Sequence, residues 1–283
     1  MSYDIRIAYD GHDGIGEGPV WDDRTGELLR AVIDDGVVYA LNPETGEQRV
    51  AAKADGELGS VVLCSDGSLV TFVDREIRHG DEVLAVAPPG HEGLRFNDCR
   101  VDPLGRIWAG TMTPSLTVGA AQLFRLDAPG AELVPILTDS TVSNGIAWTE
   151  DRMYYSDTIA RRVDVFDWDG ENVSNRRPFA TPEEPYIWPD GLCLDAEGGL
   201  WLACYFSGAL LRYAPDGTRE EVVEMGVTNP TCPTFGGPDL RTLYVTSATH
   251  LLTDEQLAGE PHAGALLAFE PGVAGLPANR FAV

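Results

Sequence analysis

The sequence predicts an all-β chain closed into a six-bladed β-propeller with four antiparallel strands per blade, on three observations. Apolar residues alternate or run in groups of three to six broken by Gly, Pro and Asp, with no sustained helical period. A strand-turn-strand unit recurs six times, with starts 38 to 47 residues apart, the span of one propeller blade. An oxygen-bearing side chain stands at one place in four of those units, and closing the ring would gather the four onto a common axis.

Taken in order, the first candidate strand covers residues 5–8 and precedes every repeat, while the last, residues 265–269, has no successor. Pairing of these two orphans would close the ring. Between them the units cover residues 19–33, 61–73, 99–112, 146–157, 192–205 and 234–247. Further strand-like sequence follows at residues 37–41, 122–126, 163–168 and 209–213, which leaves room for four strands per unit. The Pro- and Gly-rich segments 88–93, 181–189 and 228–238 read as inter-blade or channel-mouth loops. Residues 1–283 are therefore expected to form a single domain. Residues 254–262 have some helical propensity and no assigned role. A sandwich or solenoid also uses many short strands, but neither explains why the special position falls at the same place in successive units.

That position is found by counting back from the turn residue of each unit. Asp190 lies five before Asp195, Asn97 five before Asp102 and Glu17 five before Asp22; Asn144 lies five before Thr149, where the turn is one residue shorter. Carboxylate and amide oxygens are hard ligands, suited to Ca²⁺ and acceptable to Mg²⁺, Mn²⁺, Zn²⁺ or Fe²⁺. Glu17, Asn144 and Asp190, with or without Asn97, would supply two negative charges and leave positions open for water and substrate. Against this stands the turn-forming habit of Asn-Gly and Asp-Gly pairs such as Asn144-Gly145 and Asp190-Gly191. Four such residues in register favour the ligand reading. Arg95, two residues before Asn97, could reach the same opening, where a guanidinium and an amide suit the hydroxyls or carbonyl of a sugar-like ligand. Trp188 and Tyr205 could wall such a site or simply pack the core.

Composition narrows the partners. A hydrophobic content of 43% supports a sizeable core. A net charge of -25 argues against nucleic-acid phosphate or anionic lipid as a partner. The N-terminal stretch has no basic region followed by an apolar one, and no run of 18 apolar residues occurs, so a cytoplasmic protein without membrane association is expected. The five cysteines, Cys64, Cys99, Cys193, Cys204 and Cys232, include no CxxC pair and indicate neither a disulfide framework nor a structural zinc site. The five histidines are scattered and read as surface or loop residues, His250 being placed where it could reach the channel mouth. There is no GxSxG elbow, HExxH or Walker sequence; the glycines at 14, 16 and 18 precede strand residues rather than a helix.

Several segments together carry a resemblance: GEGPVWDDRTGELL, RFNDCRVDPLGRIWAGTM, SNGIAW with YYSDT and VDVFDWD, PDGLCLDAEGGLWLACY, and FGGPDLRTLYVTSA. In order, from about Ile15 to the end of the chain, they resemble the senescence marker protein (regucalcin)/gluconolactonase/luciferin-regenerating enzyme family. The resemblance implies a six-bladed propeller with one divalent cation in its channel and hydrolysis of sugar lactones. It implies Glu17, Asn144 and Asp190 as metal ligands and Arg95 and Asn97 as substrate contacts; Asp190, ligated yet carrying a second oxygen, is the expected general base. Ca²⁺ is the first metal expected. A glutamate that some members carry shortly after the AGTM segment is missing here, where Thr111-Met112-Thr113-Pro114-Ser115 stands, and this leaves the sugar preference open. A phosphotriesterase-type hydrolase and a non-catalytic calcium-binding propeller are the alternatives. The oligomeric state is open.

Overall fold

A computed structural model describes residues 3–283. The chain opens with β1 (Arg6–Tyr9) and then builds five blades in succession. Blade one is β2 (Gly16–Asp22), β3 (Glu27–Val32), β4 (Val37–Leu41) and β5 (Gln48–Lys53). Blade two is β6 (Leu58–Leu63), β7 (Leu69–Val73), β8 (Glu76–His79) and β9 (Glu82–Val86). Blade three is β10 (Arg95–Val101), β11 (Ile107–Met112), β12 (Ala121–Leu126) and β13 (Val134–Ser140). Blade four is β14 (Ser143–Trp148), β15 (Arg152–Asp157), β16 (Arg162–Trp168) and β17 (Val173–Ala180). Blade five is β18 (Pro189–Leu194), β19 (Leu200–Cys204), β20 (Ala209–Tyr213) and β21 (Arg219–Glu224). The sixth blade takes β22 (Pro230–Gly236), β23 (Thr242–Ser247) and β24 (Leu266–Phe269) from the end of the chain and β1 from its beginning.

This last sheet closes the ring as expected. β1 runs antiparallel to β24, with Arg6 opposite Ala268 and Ile7 opposite Leu267. Every blade is antiparallel throughout, and the innermost strands β2, β6, β10, β14, β18 and β22 each contact the next around the axis. Apolar faces of adjacent blades form the core in wedges. One holds Phe72, Phe96, Ile107 and Phe124 between blades two and three; another holds Tyr154, Leu192, Leu202 and Leu211 between blades four and five. One short helix, α1 (Asp254–Gly259), lies between β23 and β24 and starts with a Thr253/Gln256 capping box. Among the described residues no helix is long and apolar enough to cross a membrane.

Two features differ from expectation. Segment 228–238 is not a loop: most of it is β22, the innermost strand of the sixth blade. Pro230 and Pro233 bracket an irregularity in its pairing with β23, where a missing N–H disturbs no ladder. The C-terminal segment beyond β24 is also structural. It crosses the turn-side face, bridging Gly275 to Asp195 and Phe281 to Cys64, with Ala282 donating to Gly105 O at 3.1 Å.

The turns that end the innermost strands are held alike in blades three and five. Asp102 accepts from Leu104 N, Arg106 N, Arg106 Nε and Trp108 Nε1 at 2.7–3.0 Å. Asp195 accepts from Glu197 N, Gly199 N, Trp201 Nε1 and Arg212 Nε at 2.8–3.0 Å. In these two blades the acid from which the repeat is counted therefore fastens its hairpin.

Candidate functional site

The special residues lie inside the innermost strands, not in loops leading to them. Each innermost strand carries a bulge against its neighbour, between Glu17 and Val20, Leu58 and Ser60, Phe96 and Cys99, Ser143 and Ile146, Pro189 and Leu192, and Pro230 and Pro233. A bulge breaks the strict alternation of faces and re-aims side chains. Asn97, Asn144 and Asp190 are bulge residues. Glu17 pairs with Ala31 and so stands one residue ahead of them in register, because Asp22 is still paired, opposite Glu27, whereas Asp102 and Asp195 lie just past the last pair of their hairpins. All four are buried, at 4–7% exposure.

Hydrogen bonds tie blades three and four together here. Asn97 Nδ2 donates to Asn144 Oδ1 at 2.9 Å and to Ser143 O at 3.0 Å, while Arg95 Nη1 donates to Asn97 Oδ1 at 2.9 Å. Asn144 Nδ2 in turn donates to Thr158 Oγ1 at 2.7 Å, which leaves its Oδ1 turned toward Asn97. The Asp190 carbonyl accepts from Ser156 Oγ at 2.6 Å, fixing the backbone of that bulge. Glu17 Oε2 accepts from Gly18 N at 2.9 Å. Arg95 is buried, and its Nε lies 3.5 Å from Glu57.

The electrostatics are those of crowded acids. Burial, and then the Asp98 charge, push the Glu17 carboxyl up to about 8. Burial, with Glu17 and Asp98 next, holds Asp190 well above the usual carboxylate range. Burial lowers Arg95, the neighbouring acids opposing it. Asp98 is itself 2% exposed and forms an ion pair with Arg100, Nη1 to Oδ1 at 2.8 Å. Asp98 and Arg100 are the residues that sequence reasoning passed over. Plain alternation puts Asp98 on the face opposite Asn97, and the bulge between Phe96 and Cys99 has no signature in the sequence.

This donor set fits a divalent cation. Glu17 and Asp190 are buried acids, neither in an ion pair among the described residues; the Asp98 charge raises the cost of charging both, and the Glu17 charge adds to that of Asp190. A dication beside them would relieve both penalties, and Asn144 Oδ1 adds a neutral hard oxygen. The bulge positions of the other blades offer nothing comparable. Thr231 is used up on Gly16 O at 2.6 Å and Thr246 Oγ1 at 2.7 Å, and blade two has Gly59 and Ser60.

Around the opening, Trp188 and Tyr205 are half-buried. Trp188 stacks edge-on with Phe206 and lies under the Arg161 guanidinium, 4.8 Å from its ring centroid. The Tyr205 hydroxyl donates to His250 O at 3.2 Å, and Asn229 Nδ2 donates to the same carbonyl at 2.9 Å. The exposed His250 thus meets Tyr205 through its backbone carbonyl and, at 3.5 Å from the hydroxyl, through its ring Nδ1. The five cysteines are all free, as expected, and all but Cys193 are buried.

Comparison with known proteins agrees with this architecture. The chain is 32% identical over 277 residues to the putative sugar lactone lactonase YvrE of Bacillus subtilis, covering 93% of each. It is 37% identical over 246 residues to the pentonolactonase XacC of Haloferax volcanii, covering 83% of this chain and 81% of that one. A solved structure described as a calcium-binding protein, regucalcin, from Agrobacterium tumefaciens superposes with a TM-score of 0.90 at 26% identity, over 100% of this chain and 99% of that one. The family model described as the SMP-30/Gluconolactonase/LRE-like region matches residues 15–249, and the chain belongs to that family.

Proposed function

We propose that this protein is a divalent-metal-dependent hydrolase that opens sugar lactones to the corresponding aldonic acids. The observation that carries the reading is the burial of Glu17 and Asp190 with Asn144 on the innermost strands, two acids charged at high cost and in no ion pair among the described residues. The names of the lactonase relatives support the substrate class.

In this reading Glu17, Asn144 and Asp190 hold the cation. When bound, it would supply Lewis acidity toward a lactone carbonyl and favour ionisation of a neighbouring water. The residues do the rest. Asp190 would accept the proton of the attacking water. Asn97 fixes the Asn144 amide and, with Arg95, faces the ring hydroxyls and sets the orientation of the ester. Ca²⁺ is the metal we expect first, on the hardness of the oxygen set. Free, mostly buried thiols suit a reducing cytoplasmic setting.

The test is a pH-indicator assay of chelator-stripped protein over a panel of aldonolactones, with Ca²⁺, Zn²⁺, Mn²⁺, Mg²⁺ and Fe²⁺ added back singly. Restored turnover that Asp190→Ala abolishes together with metal binding is the expected result. Metal binding with no lactone turnover would instead identify a calcium-binding propeller, and turnover confined to organophosphorus esters a phosphotriesterase.

A further inference from the structure

The turn that closes the innermost hairpin of blade two departs from the rule of blades three and five. Aligned by register, Cys64 stands where they have Asp102 and Asp195, and Val70 stands where they have Trp108 and Trp201. His79 lies opposite Val70 as Arg212 lies opposite Trp201. An acid, an indole and a guanidinium have thus been exchanged for a thiol, an isopropyl group and an imidazole. An ion-pair clamp has become a set of soft and borderline metal ligands.

These ligands converge. Cys64 Sγ, a carboxylate oxygen of Asp66 and a ring nitrogen of His79 all lie within 4.8 Å of one another. Ser68 Oγ lies between them, donating to Asp66 Oδ1 at 2.5 Å and standing 2.6 Å from His79 Nε2. This is not a nucleophile with its base: Asp66 bonds the hydroxyl itself and not the far nitrogen of His79, so nothing orients the imidazole for proton transfer. In a tetrahedral zinc site, bonds of about 2.0–2.3 Å set ligand atoms about 3.3–3.8 Å apart, so the cluster needs to contract by on the order of 1 Å. Rotation of Ser68 about χ1 clears the centre.

We propose that Cys64, Asp66 and His79 form a second metal site, for a Zn²⁺-class cation, with water in the fourth position. Sγ binds as the thiolate, its proton passing to solvent, and His79 binds through Nε2 with its proton on Nδ1. Because the thiol gives up its proton on binding, occupancy should increase with pH. The site's place in the fold gives it a structural role. Ser65 N donates to Phe281 O at 2.8 Å and Val283 N to Ser65 Oγ at 3.3 Å, so the turn that carries two of the ligands also holds the end of the C-terminal segment.

The site is independent of the channel, and Co²⁺ separates the two. Thiolate bound to Co²⁺ gives a near-ultraviolet charge-transfer band that an all-oxygen site cannot give. Titration of metal-stripped protein with Co²⁺ should develop this band to one equivalent. It should be lost in Cys64→Ser and in His79→Gln, and kept in Asp190→Ala. Lactone turnover, where present, should be unchanged in Cys64→Ser and His79→Gln. Absence of the band in the wild-type protein overturns the proposal, as does its survival in either ligand variant. Should Cys64→Ser fail to fold, the part-exposed His79→Gln decides the question.

Discussion

Asn97 Nδ2 donates to Asn144 Oδ1 at 2.9 Å, so the amide that the cation would need from blade four is aimed by a side chain of blade three. Asn97 is itself held by Arg95. A residue that orients a metal ligand typically changes affinity or activity by about 10–100-fold when removed. Asn97→Ala should therefore weaken divalent-cation binding within that range and lower kcat/KM for the lactone by a similar factor. Calorimetric titration of the metal-stripped variant checks the first part. Unchanged affinity with a raised KM would make Asn97 a substrate contact alone.

How much of this was legible in the sequence follows from what each pattern encodes. Blade number and ring closure are written in hairpin spacing and in the orphan strands, and the residues of β1 and β24 pair as expected. The candidate set Glu17, Asn97, Asn144 and Asp190 stood out because turn acids such as Asp102 and Asp195 fasten their hairpins and so give a fixed point to count from. What stayed hidden depends on a third dimension. The bulges that turn Asn97 inward and bury Asp98 beside Arg100 leave no mark in a single sequence. Cys64 and His79 lie fifteen positions apart and meet only because β7 pairs with β8.

The acids of the channel make the metal-free protein sensitive to pH in a defined direction. The Glu17 pKa is raised from its ordinary 4.5 to about 8 in the fold, chiefly by burial. Between those values the folded state keeps a proton that the unfolded chain has released. The stabilising contribution is complete below the ordinary value and is lost as pH rises through about 8. The melting temperature of stripped protein should fall from about pH 5 to about pH 8.5, more shallowly in Glu17→Gln, and saturating cation should flatten the profile. An identical slope in Glu17→Gln would remove Glu17 as its source.

The hairpin clamps predict stability without function. Asp195 is 1% exposed and holds two turn amides, Trp201 Nε1 and Arg212. Asp195→Ala leaves those donors unpaired, and breaking a buried pair from one side costs about 3–5 kcal/mol. The urea midpoint should drop accordingly, while the folded fraction retains the metal affinity of the wild-type protein. Reduced affinity in the folded fraction would show that the turn and the channel are coupled.

Gly191 tests the steric basis of the site. It follows Asp190 in the bulge of β18, and a Cβ there would lie 2.3 Å from Cys232 Sγ and 2.7 Å from Cys232 Cα. The second contact is to backbone and cannot be relieved by a rotamer change, so Gly191→Ala must displace β18 from β22. Overpacking of this kind costs about 1–3 kcal/mol. The displaced residue directly follows Asp190, whose carbonyl is fixed by Ser156 at 2.6 Å, so the strain falls on the carboxylate's own backbone. Gly191→Ala should lose divalent-cation affinity and lactone turnover together, with only a moderate fall in melting temperature. Cys232→Ala in the same chain should not restore them, because the clash with the β22 backbone remains. Recovery on removing the sulfur would place the constraint in the side chain instead.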